Sequence, residues 1–150
     1  MSESKIRRLL TDHLIDSLRQ PDTTLKYPVI PNGMIVDQII TTNYMSPHII
    51  PAPADDAALS GDLIVYKGIY QITLRATSDV NGSIIVDMNE PLDEMVDAVR
   101  QAFKANMRFT DIEGFTVQVN SALAVTEARK DPKEQWWTLH TWFNYWAESN

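Results

Sequence analysis

The hydropathy pattern of this chain predicts an α+β fold, with two helices on one face of a mainly antiparallel sheet of about four strands. Two segments, Ser4 to Arg19 and Asn89 to Phe103, repeat apolar residues at helical spacing. Four others read as strands, at Tyr44 to Ile50, Asp62 to Ala76, Phe115 to Val125 and Trp136 to Ala147. Their order is α-β-β-α-β-β, and the last two strands follow each other closely enough to pair as a hairpin. The 150 residues are expected to form a single domain, because a chain of this size buries roughly 68–70% of its unfolded surface without staples.

Each element has its own warrant. Ile6, Leu9, Leu10, Leu14 and Leu18 make an apolar stripe, with Ser4 placed to cap the helix and Pro21 just past its end. Prolines at 28, 31, 47, 51 and 53 then keep regular pieces short. Pro47 lacks an N–H, so the strand from Tyr44 to Ile50 is expected at a sheet edge. Ala52 to Asp62 reads as a mobile acidic loop. In the next segment Ile64, Tyr66, Tyr70, Ile72 and Leu74 share one face, and Lys67, Gln71, Thr73 and Arg75 lie largely on the other. After a turn at Asp79 to Gly82, Asn89 caps a helix whose first turn holds Glu90, Pro91, Asp93 and Glu94. Its stripe is Leu92, Met95, Val96, Val99 and Phe103. Gly114 precedes the alternation Phe115, Val117, Val119, Ser121, Leu123 and Val125, and a polar turn from Thr126 to Gln135 leads to the last strand.

Composition excludes several function classes. The chain has no cysteine, which removes disulfides, thiolate nucleophiles and Cys-ligated metals together and suits a reducing compartment. A net charge of −7 with scattered basic residues opposes a stripe of phosphate contacts. No apolar run approaches the ~18 residues of a membrane span, and Ser2 to Arg8 is too polar to open a secretory signal. The protein is expected to be soluble and unprocessed. There is no G-x-x-x-x-G-K, G-x-G-x-x-G or G-x-S-x-G motif. His13, His48 and His140 have no spacing that would bring two onto one metal, and Asp55, Asp56 and Asp62 lack the donor spacing of a calcium loop. No cofactor is expected.

The last strand is the informative one. All four tryptophans, Trp136, Trp137, Trp142 and Trp146, fall within it. Period two puts Trp137, Leu139, Thr141, Phe143, Tyr145 and Ala147 on one face and Trp136, Thr138, His140, Trp142, Asn144 and Trp146 on the other. If the first face meets the core, three indoles stand on the second, to be covered by a helix of the same chain or by a neighbouring subunit; if both helices lie on the same side of the sheet, the second face is left open. Indole pairs a large apolar area with one N–H donor and is enriched at interfaces. Trp136, Trp142, Trp146, His140 and Gln71 are accordingly expected to form a subunit interface.

Pro28-Val29-Ile30-Pro31-Asn32, Tyr44 through Ile49-Ile50-Pro51, and Gly68-Ile69-Tyr70-Gln71-Ile72 together resemble the phage tail terminator-like family of long-tailed bacteriophages. The helix ending near Phe103, the strand Gly114-Phe115-Thr116-Val117-Gln118-Val119 and the tryptophan strand continue the likeness over roughly Ile6 to Ala147. The segment Met34 to Thr42, with Ile35, Val36, Ile39 and Ile40, is more apolar than that pattern. The resemblance implies a structural virion protein, made in the host cytoplasm and carried in the tail, with no enzymatic activity. By the same likeness, six copies form a ring on the finished tail tube, stop its polymerisation and meet the head-tail connector protein. Partners would be the chain itself, the tube protein and the connector, with no membrane, and DNA would pass through the lumen without specific binding. Acidic lumen residues would repel its phosphates. Two rivals remain: another neck or head-tail completion protein of the same assembly, and a small hydrolase or ligand-binding domain with Asp55 to Asp62 as a lid.

Overall fold

The computed structural model describes residues 2–31, 43–52, 55–56, 64–77, 79–80, 83–84, 89–130 and 136–149. In chain order the elements are α1 (Ser2–Leu18), β1 (Tyr44–Pro51), β2 (Asp55–Asp56), β3 (Ile64–Thr77), β4 (Asp79–Val80), β5 (Ser83–Ile84), α2 (Asn89–Ala102), β6 (Arg108–Thr110), β7 (Thr116–Val119), β8 (Ala124–Val125), β9 (Arg129–Lys130) and β10 (Trp136–Ser149). Eight strands form one sheet along the path β1-β3-β10-β7-β6, with β2 beside β3, and β8 and β9 beside β10. Its ladders are antiparallel. β4 and β5 make a separate ribbon.

This overturns the expected α+β sheet of about four strands in the order α-β-β-α-β-β. The fold is sheet-dominated, and β10 lies at its centre, bonded along one edge to all of β3 and along the other to β9, β8 and β7 in turn. The added strands are two or three residues long, too short to carry a periodic signature. The run from Phe115 to Val125 is likewise two pieces. Val119 pairs with Tyr145 but Ala124 with Trp142, so the segment between them holds two residues more than its partner. At Asn144 the β10 backbone takes a bond from Asn120 N to its carbonyl (2.7 Å) and donates to Ser121 Oγ (2.9 Å).

The helices form where their stripes meet the sheet. Ile6, Leu10, Leu14 and Leu18 of α1, and Leu92, Met95, Val96 and Val99 of α2, are buried in one cluster with Tyr70, Ile72, Leu74, Phe143, Tyr145 and Ala147. Each such aliphatic side chain contributes about 1.5–3 kcal/mol by leaving water. Tyr70 also reaches α1, its hydroxyl 3.0 Å from Thr11 Oγ1, and burial pushes that phenol's pKa up. Thr141 is fully buried and donates to the carbonyl of Ile72 at 2.9 Å, so the core keeps no orphan hydroxyl there.

β1 is the edge strand that Pro47 requires, with Pro47 opposite Ile72. One row inward, Gly68 lies between Pro51 and Tyr145. A Cβ at Gly68 would stand 2.5 Å from the Ile50 carbonyl oxygen and 2.6 Å from the Tyr145 hydroxyl, so the ring of Tyr145 crosses the sheet only because that position is glycine.

Candidate assembly surface

β10 has two unlike sides. Leu139, Thr141, Phe143, Tyr145 and Ala147 are buried under the helices, whereas Trp136, Thr138, Trp142 and Trp146 are half-buried and His140 and Asn144 exposed. Antiparallel register carries the second side across the sheet. Thr138 stands between Arg75 of β3 and Arg129 of β9, with Tyr44 of β1 beyond Arg75; in the rows that follow, His140 is opposite Thr73 and Ser46, and Trp142 opposite Gln71 and His48. Arg129 reaches this side because the register slips by one residue between β8 and β9, and a one-residue bulge exchanges the faces.

The face is organised by local contacts. Gln71 Nε2 and Thr73 Oγ1 each lie 3.0 Å from His140 Nδ1. The Gln71 amide donates to that nitrogen, which leaves the ring proton of neutral His140 on Nε2. Thr126 closes around the same residue, its Oγ1 accepting from His140 N at 2.9 Å while its own N–H bonds to the His140 carbonyl at 2.9 Å. Tyr44 meets Trp136 edge to face at 5.3 Å, and Arg75 stands 6.0 Å from the Tyr44 ring. A depression of about 280 Å³ beside them is lined by Thr126, Glu127, Arg129, Thr138 and His140.

Of the predicted surface residues, Trp142, Trp146, His140, Gln71 and Trp136 all fall on this open side. Sequence reasoning missed Tyr44 and His48 beside them, since it cannot say which strand lies next to which, and it put Arg75 on the face of Gln71 without counting it in the surface. The histidines also come closer than their spacing indicated. His48 has its pKa lowered, first by burial and second by the charge of His140 two strands away. A lowered folded pKa favours the neutral ring, so the associated stability is complete above the ordinary value of 6.5 and is lost as pH falls through the lower folded value. Thermal unfolding between pH 7.5 and 5 is expected to show this decline, and His48→Gln to flatten part of it. An unchanged slope in that variant would remove His48 from the account.

His13 has a structural use. Its Nε2 donates to the carbonyl of Ala102 at 2.7 Å, closing the C-terminal end of α2 against α1. Of the acidic loop Ala52 to Asp62, the structure describes Ala52 and the pair Asp55–Asp56, which is a short strand against β3 rather than loop. Asp62, the apolar segment Met34 to Thr42, and residues 131–135 of the polar turn from Thr126 to Gln135 lie outside the described residues. Among the described residues no group of three metal-ligating side chains occurs, and the carboxylate with a shifted pKa is exposed Asp22, lowered by hydrogen bonds from Thr24.

Comparison with known proteins places the chain in a family. The family model described as phage tail terminator protein matches residues 5–145. The chain belongs to that family. It is therefore a structural protein of the phage virion tail. A solved structure is similar to the chain over 100% of its length and 98% of the other, with a TM-score of 0.73 at 16% identity, a likeness that extends to the fold. No curated protein matches.

Proposed function

We propose that the chain, as one domain, closes into a ring of six copies on the completed tail tube, ends tube polymerisation and presents a seat for the head-tail connector. The observation that supports this is the open sheet side: it holds Trp136, Trp142 and Trp146 in one strand, and both helices lie on the other side. Indoles half-exposed in a row are costly to leave in water and typical of the buried centre of interfaces. A ring requires contacts between two different patches of each subunit, and an uncovered sheet supplies one of them. The net charge of −7 suits a passage for DNA that must not hold its phosphates.

Solution mass and tube capping test the proposal together. Light scattering is expected to find a species of six 17.0 kDa chains, about 102 kDa, growing with concentration. Added to the polymerising tube protein of the same phage, the chain is expected to arrest tubes at their ends. A protein that stays a single chain and leaves tube growth unaltered would refute the reading. A chain that binds the connector and leaves tube growth unaltered would favour the neck-protein alternative.

A further inference from the structure

We propose that the cross-strand row of Arg75, Thr138 and Arg129 on the open side receives carboxylates of α2, namely Asp93, Glu94 and Asp97, from the next copy of the chain. This rests on the ring reading above and adds which two patches meet.

The row is a paired cation site. Arg75 and Arg129 flank Thr138 in register, so with strands about 4.8 Å apart their stems rise roughly 10 Å from one another on one side of the sheet. Neither forms an ion pair among the described residues. Arg75 rests against Tyr44, and exposed Arg129 borders the depression that holds Glu127 and His140. A planar guanidinium held by an aromatic ring with its donors free is suited to a carboxylate, which it can grip with two parallel bonds.

The chain carries the complement elsewhere. Between Tyr27 and Val99 the sequence has ten carboxylates and two cations, Lys67 and Arg75, and both cations occupy alternate positions of β3 on the open side. Asp93, Glu94 and Asp97 are exposed on the outer surface of α2. Asp93 and Asp97 are one turn apart, about 6 Å between their Cβ atoms. Glu94 meets Lys26 at 3.4 Å and Asp97 meets Arg100 at 3.6 Å, exposed pairs that exchange partners at little cost.

Charge also sets the arrangement. Two copies joined open side to open side with the two-fold axis at this row would bring its two arginines against two more, which is repulsive. Open side on α2 is attractive, heterologous and able to close a ring, with Trp136, the next same-side residue of β10 beside the row, providing apolar area.

Two charge-reversed proteins test this. One carries Arg75→Glu with Arg129→Glu, the other Asp93→Lys with Asp97→Lys, each first shown to keep the wild-type circular dichroism. Each alone is expected to self-associate at least about tenfold more weakly than wild type, and their equimolar mixture is expected to recover the ring as alternating copies. Arg129→Glu alone, at an exposed position, serves if the double variant does not fold. Variants that assemble as well as wild type, or a mixture that recovers nothing, would overturn the pairing while the wild-type ring still stands. A wild type that never assembles would overturn both. A wild type that binds short duplex DNA through Arg75 and Arg129 would assign the row to nucleic acid and overturn the proposal.

Discussion

Trp142→Glu is expected to leave a folded single chain that neither self-associates nor caps tubes. Trp142 is half-buried on the open side, between Gln71 of β3 and Ala124 of β8, so in the isolated chain a carboxylate there keeps access to water. In an assembly the same carboxylate would be enclosed, and an unpaired charge in such a place is among the most disruptive changes available. Self-association should weaken at least about thirtyfold, the factor that matches the roughly 2 kcal/mol of an interface hot spot. Circular dichroism and the unfolding midpoint should stay close to wild type. A variant that unfolds outright would place Trp142 in the core and contradict the assignment. Leu139→Glu is the counter-experiment, since Leu139 is 6% exposed on the helix side of the same strand, and it is expected to abolish folding.

Phe103→Ala should cost more stability than other single truncations at the helix ends. The ring is 2% exposed and lies where α2 stops, 4.9 Å from Phe143, 5.3 Å from His13, 5.8 Å from Tyr70 and 6.1 Å from Phe109 between ring centroids. It thus joins α1, α2, β3, β6 and β10. Removing a buried phenyl and leaving its cavity costs about 3–5 kcal/mol, which for a chain of this size lowers the unfolding midpoint by roughly 10 °C. Calorimetry checks this, and a loss below about 1 kcal/mol would show that the junction can collapse around the gap. Phe109→Ala, half-buried at the rim, is expected to cost less.

What the sequence disclosed, and what it withheld, follows from the length of each physical signal. Both helices were legible because Ile6, Leu10, Leu14 and Leu18 recur every fourth residue, as do Leu92, Val96 and Val99 nearly so. Alternation identified the buried side of β10 from Leu139 to Ala147, and the missing N–H of Pro47 identified an edge. The strand number failed because β2, β6, β8 and β9 consist of two or three residues whose pairing depends on register with β3, β7 or β10 and on no local preference. The same reason hid part of the surface. Arg129 shares a side with Trp142 only because a one-residue slip separates β8 from β9, and His48 approaches His140 only because β3 lies between their strands. These are facts about which ladder forms, and periodicity within one segment does not contain them.

The chain lacks cysteine, so a single introduced thiol reports its own surroundings without interference. Asn144→Cys places that thiol at an exposed position on the open side, and its reaction with a maleimide can be timed in the isolated chain and again in purified capped tails. If identical neighbours dress this side of the sheet, labelling in the tails should slow by at least about tenfold. Equal labelling rates in both states would mean that the indole-bearing side still faces water in the virion, and the account of its purpose would be contradicted.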